Sequence, residues 1–120
     1  MTPTSSTDVL ICGAGAAGLT LAIDLARRGV DVLLIDKAER PFQGSRGKGI
    51  QPRSLEVLED LGVLEAMLAL GAPYPPVRTH TTSGLVDTLI SEGAAPTPAE
   101  PYATPLMLPQ FLTEGVLRDR

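Results

Sequence analysis

Apolar and polar positions fall into two regimes along the chain. Residues 9–12, Val-Leu-Ile-Cys, form an unbroken apolar run, and residues 30–35 form a second, interrupted only by Asp31. Runs of this length without alternation predict parallel strands buried on both faces. Between them Leu19, Leu21, Ala22, Ile23, Leu25 and Ala26 share one arc of a helical wheel, and Thr20, Asp24, Arg27 and Arg28 share the other. That division predicts an amphipathic helix laid on the sheet. Asp24 and Arg28 are placed to pair one turn apart, and Gly29 is placed to stop the helix. The order is strand, helix, strand.

Beyond residue 36 the pattern changes character. Pro41 has no N–H to give a ladder and ends the second strand. Residues 42–51 hold three glycines and two cations, Arg46 and Lys48, and read as a loop. Residues 52–62 predict a short helix, with Pro52 at its first position, Leu55, Leu58 and Leu61 on one face, and Gly62 as its stop. Residues 63–70 predict another, closed by Gly71, and residues 72–76 a linker. The threonine-rich and β-branched stretches 77–82 and 85–90 predict a hairpin turning at Ser83-Gly84. Residues 92–105 read as an irregular loop and residues 106–108 as a short strand. A last helix is expected from about Thr113, as its N-cap. The fold class is therefore α/β: a Rossmann-like βαβ unit with an inserted β-hairpin, incomplete as a doubly wound fold, which wants two βαβαβ halves. The expectation is an N-terminal piece of a longer protein.

The corner between the first strand and the first helix carries the clearest chemistry. Gly13, Gly15 and Gly18 spell G-x-G-x-x-G where strand passes into helix. In that context the first glycine permits the turn, the second lets backbone approach a pyrophosphate, and the third lets helix and strand pack closely. The helix start turns free N–H groups and the positive end of its dipole toward such an anion. Asp36 follows Gly18 by eighteen residues at the end of the second strand. A carboxylate there accepts from ribose hydroxyls and repels a 2′-phosphate, which disfavours NADP at this corner. The same pattern also suits a βαβ turn that holds no ligand. Arg46 and Lys48 suit either a second phosphate cradle or a solvated basic turn. Arg53 lies in a helix's first turn, where a cation opposes the dipole; a nearby anion or simple exposure to solvent accounts for it.

Composition narrows the partners. A net charge of −4, with no dense lysine and arginine cluster, argues against nucleic acid. One cysteine excludes an internal disulfide and suits a reducing compartment; Cys12 is expected in the core. Residues 9–23 are uncharged but too short and glycine-rich to span a membrane. A cytoplasmic protein is expected, with no membrane partner. His80 is the only histidine and builds no triad or metal set. Aromatic residues are too few to suggest a stacking platform.

Three segments in order resemble the group A flavoprotein monooxygenases, the FAD-dependent aromatic hydroxylases that include the polyketide-tailoring hydroxylases and rifampicin monooxygenase. They are the βαβ opening with Asp36-Lys37, the stretch Ser45-Arg-Gly-Lys-Gly-Ile-Gln-Pro-Arg-Ser-Leu-Glu-Val-Leu-Glu-Asp-Leu-Gly62, and Leu108-Pro-Gln-Phe-Leu-Thr-Glu114. The resemblance implies that residues 1–120 are the N-terminal part of an FAD-binding domain, with the hairpin at 77–90 opening a substrate region. It implies backbone contacts from Ala16 and Ala17 to the pyrophosphate beside Gly13, Gly15 and Gly18. Asp36 would hold the adenosine ribose with Lys37 beside it, Arg46 would reach the phosphate or ribityl region, and Gln110 would touch the cofactor from the third segment. The usual carboxylate at the second strand's end is glutamate, so Asp36 is one methylene short.

The activity implied is hydroxylation of a small aromatic or polyketide-like substrate. NAD(P)H would reduce FAD and oxygen would add to it as a C4a-hydroperoxide, with no catalytic residue drawn from these 120 positions. The rest of the protein, as a second chain, is an implied partner. Two other readings stand beside this one: an NAD-dependent dehydrogenase, and a non-catalytic nucleotide-binding fragment that needs a partner chain.

Overall fold

A computed structural model describes residues 6–90 and 95–120. It opens with a parallel βαβ unit: β1 (Val9–Cys12), α1 (Ala16–Ala26) and β2 (Val32–Ile35). The two strands pair in register, Val9 with Val32 through Cys12 with Ile35. The chain then gives β3 (Gly49–Ile50), α2 (Pro52–Asp60), α3 (Leu64–Leu70), β4 (Ala72–Pro73), β5 (Val77–Thr81), β6 (Gly84–Thr88), β7 (Leu106–Met107) and α4 (Gln110–Asp119). β7 is the middle strand of a small antiparallel sheet in the order β3-β7-β4. β5 and β6 form a separate hairpin. No helix among the described residues is long and apolar enough to cross a membrane.

The core lies where the helices meet β7. Leu19 of α1, Leu55 and Leu58 of α2, Leu64 and Met67 of α3, Leu106 of β7, Leu117 of α4, and the connecting Leu61, Val63 and Leu108 are all buried together. The predicted leucine face of α2 supplies three of these. Arg27 joins α1 to the end of α2, donating to the Asp60 carbonyl at 2.9 Å and pairing with the carboxylates of Asp24 and Asp60. The expected Asp24–Arg28 pair is also made, at 3.2 Å.

The parallel strands depart from expectation on one face. Ile11 is buried and Leu34 packs on the core, but Leu10, Leu33 and Ile35 are 54%, 50% and 45% exposed. Cys12 is exposed as well, not a core residue. The cause is coverage: the apolar run has two sides, and α1 lies over one of them. Among the described residues nothing seals the other.

Four boundaries also moved. α4 begins at Gln110 with Pro109 as its N-cap, three residues before the expected Thr113. Thr113 lies inside the helix, its hydroxyl bonded back to the Pro109 carbonyl at 3.4 Å. The stretch read as a linker contains β4, an edge strand in which Pro73 is tolerated because it flanks β7 on one side only. The glycine-rich loop ends in β3, two residues long and too short to show any period. The hairpin turns at Thr82 and Ser83, because Thr81 pairs with Gly84. All ten of its strand residues are exposed, and Arg78 grips Asp87 through two bonds of 2.7 Å. Residues 92–94 of the expected loop lie outside the described residues.

Two glycines fix how α1 sits on β1. Gly13 takes a φ of +114°, a region L side chains avoid, and its N–H caps β2 by donating to the Ile35 carbonyl at 2.7 Å. At Gly18 a Cβ would lie 1.9 Å from the Gly13 carbonyl oxygen and 3.3 Å from Ile11 Cγ2. The helix therefore touches the backbone of the turn that leaves β1, and no side chain can yield to make room. Gly18→Ala is expected to cost about 3 kcal/mol or more in urea unfolding, at the upper end of overpacking penalties. Gly47→Ala, whose Cβ would meet nothing within 4 Å, is expected to stay within about 0.5 kcal/mol of the parent.

Candidate functional site

An open cavity of about 660 Å³ lies at the C-terminal end of the two parallel strands, where ligands bind in open α/β sheets. Three separate segments wall it. The glycine corner brings Ala14 and Gly15, the end of β2 and its loop bring Asp36, residues 38–42 and Arg46, and one face of α4 brings Gln110, Glu114 and Arg118. Of the residues singled out in the sequence, Gly15, Asp36, Arg46 and Gln110 share this cavity. Gly13 and Lys37 open instead on the far side of the corner, beside Cys12 and Ile35. Ala16 and Ala17 border a depression between α1 and α2. Arg53 is away from the cavity, exposed and paired with Glu56.

Gly15 is the N-cap residue of α1, in extended conformation (φ −81°), and makes no side-chain cap. The first-turn N–H groups of α1 are thus left for another acceptor, as at helix ends that bind anions. Asp36 already holds two backbone donors: Ala14 N–H at 2.5 Å to Oδ2, and Ala38 N–H at 2.7 Å to Oδ1. Those two bonds, with smaller help from Lys37 and Arg118, hold its carboxyl below the usual range. The short side chain thereby stitches the end of β2 to the glycine corner. A carboxylate accepts about four hydrogen bonds, so this one keeps capacity toward the cavity.

The second and third segments are latched together. Arg46 N–H donates to Gln110 Oε1 at 3.1 Å, and Gln110 N–H donates to Ser45 Oγ at 3.2 Å. Nearby, Leu108 N–H donates to the Lys48 carbonyl at 2.8 Å. The glycine-rich loop is therefore held across the start of α4, and its cation stays at the cavity rim. The Arg46 guanidinium rests 5.3 Å from the centre of the Phe42 ring, an attractive cation–π geometry.

Sequence reading missed Phe42, Glu114 and Arg118. Phe42 fell in a stretch read only for its glycines and charges. Glu114 and Arg118 follow Gln110 at helical spacing, so placing the helix start at Pro109 would have put all three on one face. Arg118 donates to the Ala14 carbonyl at 3.4 Å.

The titration of Asp36 offers a direct check. A carboxylate depressed in the folded state keeps its stabilising bonds above the unfolded pKa, about 3.9, and loses them as pH falls through its lower folded value. Amide shifts of Ala14 and Ala38 are therefore expected to move together in an NMR titration, with a shared midpoint below about 3.9. A midpoint at or above that value, or independent movement of the two amides, would contradict the stitched corner.

Comparison with known proteins places this arrangement. The model of the FAD binding domain family matches residues 6–120. A flavin-dependent monooxygenase of Mycobacteroides abscessus is 39% identical over 117 residues, covering 93% of this chain and 25% of the relative. Rifampicin monooxygenase of Streptomyces venezuelae is 42% identical over 118 residues, covering 93% of this chain and 22% of the relative. Among solved structures, the flavin-dependent monooxygenase PieE, in complex with FAD and substrate, superposes with a TM-score of 0.80 at 25% identity, over 98% of this chain and 22% of that one. The chain thus spans about a quarter of the length of the relatives it matches. With a Rossmann-like opening, the glycine corner and a match along almost all its length, this chain belongs to the FAD-binding domain family of the flavin-dependent monooxygenases.

Proposed function

We propose that residues 1–120 form one wall of the FAD site of a monooxygenase that hydroxylates a small aromatic or polyketide-like molecule, using NAD(P)H and O2. The observation that carries this reading is the convergence of Gly15, Asp36, Arg46 and Gln110, from three segments, on one cavity. The residues fit a dinucleotide: an uncapped helix start for a pyrophosphate, a carboxylate with spare acceptor capacity for a ribose, and an exposed guanidinium at the rim. The substrate class rests on relatives named for rifampicin and for 6-methylpretetramide.

Bound FAD would supply the redox chemistry, as cofactors do generally. The residues of this chain bind and orient it. The α1 N-terminus, with the backbone N–H groups of Ala16 and Ala17 beside Gly13, Gly15 and Gly18, faces the pyrophosphate. Asp36, flanked by Lys37, accepts from the adenosine ribose. Arg46 neutralises phosphate charge, and Gln110 offers the N–H and lone pair its latch leaves unused. No residue here serves as acid, base or nucleophile. The remainder of the polypeptide, or a second chain, completes the site and holds the substrate; the hairpin at 77–90 opens that substrate region.

An NAD-dependent dehydrogenase would use the glycine corner and Asp36 but leave Arg46 and Gln110 without a task. The test is purification of the natural polypeptide that carries these residues. Co-purifying flavin absorbance near ~450 nm, the cofactor's own band, and flavin-dependent oxidation of NAD(P)H with a phenolic acceptor are expected. Arg46→Ala should weaken FAD binding roughly tenfold or more, the worth of one charge-assisted phosphate contact. Gly15→Ala should weaken it similarly while altering stability by no more than about 1 kcal/mol, since its Cβ meets only Glu114, at 3.7 Å. Tight NAD binding with no affinity for flavin would overturn the proposal.

A further inference from the structure

Glu114 is the one buried charged side chain among the described residues, at 4% exposure. It sits one turn along α4 from Gln110, beside the start of α1. Burying a carboxylate is expensive unless it is hydrogen-bonded, and an apolar residue would fill such a site at less cost. Glu114 Oε1 accepts from Gln110 Nε2 at 2.8 Å. It also lies beside Gly15, at the positive end of α1, where negative charge is favoured.

We infer that Glu114 is a positioning residue, which sets the orientation of the Gln110 amide and through it the place of the Arg46 loop at the cavity. An amide has a donor end and an acceptor end. The Glu114 carboxylate oxygen accepts, so it holds the Gln110 nitrogen toward Glu114 and turns Oε1 outward. Oε1 is the atom that accepts the Arg46 N–H at 3.1 Å. A flipped amide would set NH2 against N–H at Arg46 and oxygen against carboxylate at Glu114, losing both bonds together. The carboxylate thus makes one rotamer of Gln110 the only satisfied one. The loop that carries the site's cation inherits that choice, 68 positions away from its origin at Glu114.

The effect on cofactor affinity rests on the flavin-site reading; the effect on the loop does not, and two readouts keep them apart. The first is amide hydrogen exchange at Arg46 in the flavin-free polypeptide. Protection is expected in the parent and in Glu114→Gln, which retains an acceptor, and its loss in Glu114→Met and Gln110→Met. The second is FAD affinity across the cycle of Glu114→Met, Gln110→Met and the double variant. Each single change is expected to weaken binding roughly tenfold, the scale of one hydrogen bond to a charged group, and the double variant no more than the weaker single one. A residue acting only through general stability would give multiplied losses, roughly a hundredfold together, and would lower protection across the core amides rather than at Arg46 selectively.

Should Glu114→Met not fold, Glu114→Asp replaces it, drawing the acceptor back by one methylene, ~1.5 Å, with the same loss of Arg46 protection expected. Retained protection in the variants, multiplicative losses, or no recovery in Glu114→Gln would each overturn the inference. If the parent protected Arg46 as expected but bound no FAD, the proposed function would fail and the relay would stand.

Discussion

The cavity depends on the latch between Gln110 and two neighbours in the loop, the Ser45 hydroxyl and the Arg46 N–H. Two hydrogen bonds, each near 3 Å, join positions more than sixty residues apart. Without them the Ser45–Arg46 end of the loop would be free of α4, and only the Lys48 carbonyl and the short β3–β7 pairing would tie the loop to this region. The βαβ corner would still fold, held by the parallel ladder and by the contact of Gly18 with the Gly13 backbone. It would then be a helix start and a carboxylate facing solvent. The latch adds the second wall, and with it a charge of sign opposite to a phosphate.

The two walls are built on different physical grounds. The corner is steric: backbone meets backbone at Gly18, and Gly13 turns through a conformation other residues avoid. The second wall is polar, a chain of donors and acceptors from Ser45 through Gln110 to the buried Glu114. Steric contacts tolerate solvent and salt, whereas a polar relay depends on every member being present. The site therefore combines a rigid corner at a helix N-terminus with a cation whose position is set by hydrogen bonds.

Much of this was legible in the sequence, and the rest failed for definable reasons. The apolar runs and the G-x-G-x-x-G spacing located β1 to the residue and α1 and β2 to within a few residues, β2 starting at Val32 rather than Val30, because local pattern decides those elements. β3 and β4 escaped because each is two residues long and exists only by pairing with β7. The start of α4 was displaced because Thr113 looks like an N-cap, while Pro109, two residues past β7, is the N-cap that opens the helix. That shift concealed the face carrying Gln110, Glu114 and Arg118. Cys12, Leu10, Leu33 and Ile35 were assigned to a core because an apolar run records that two faces are hydrophobic, not that both are covered within this stretch of chain. The family was read from three ordered segments, and the match to the FAD binding domain over residues 6–120 agrees with that reading.

The central claim is that three segments, and not the glycine corner alone, meet one cofactor. Chemical-shift mapping of the labelled polypeptide during titration with FAD tests it most directly. The account predicts that the amides of Gly15, Asp36 and Arg46 and the side-chain amide of Gln110 shift together along one binding curve, and that NAD moves at most the first two. Shifts confined to the glycine corner, or equal responses to NAD and FAD, would contradict it.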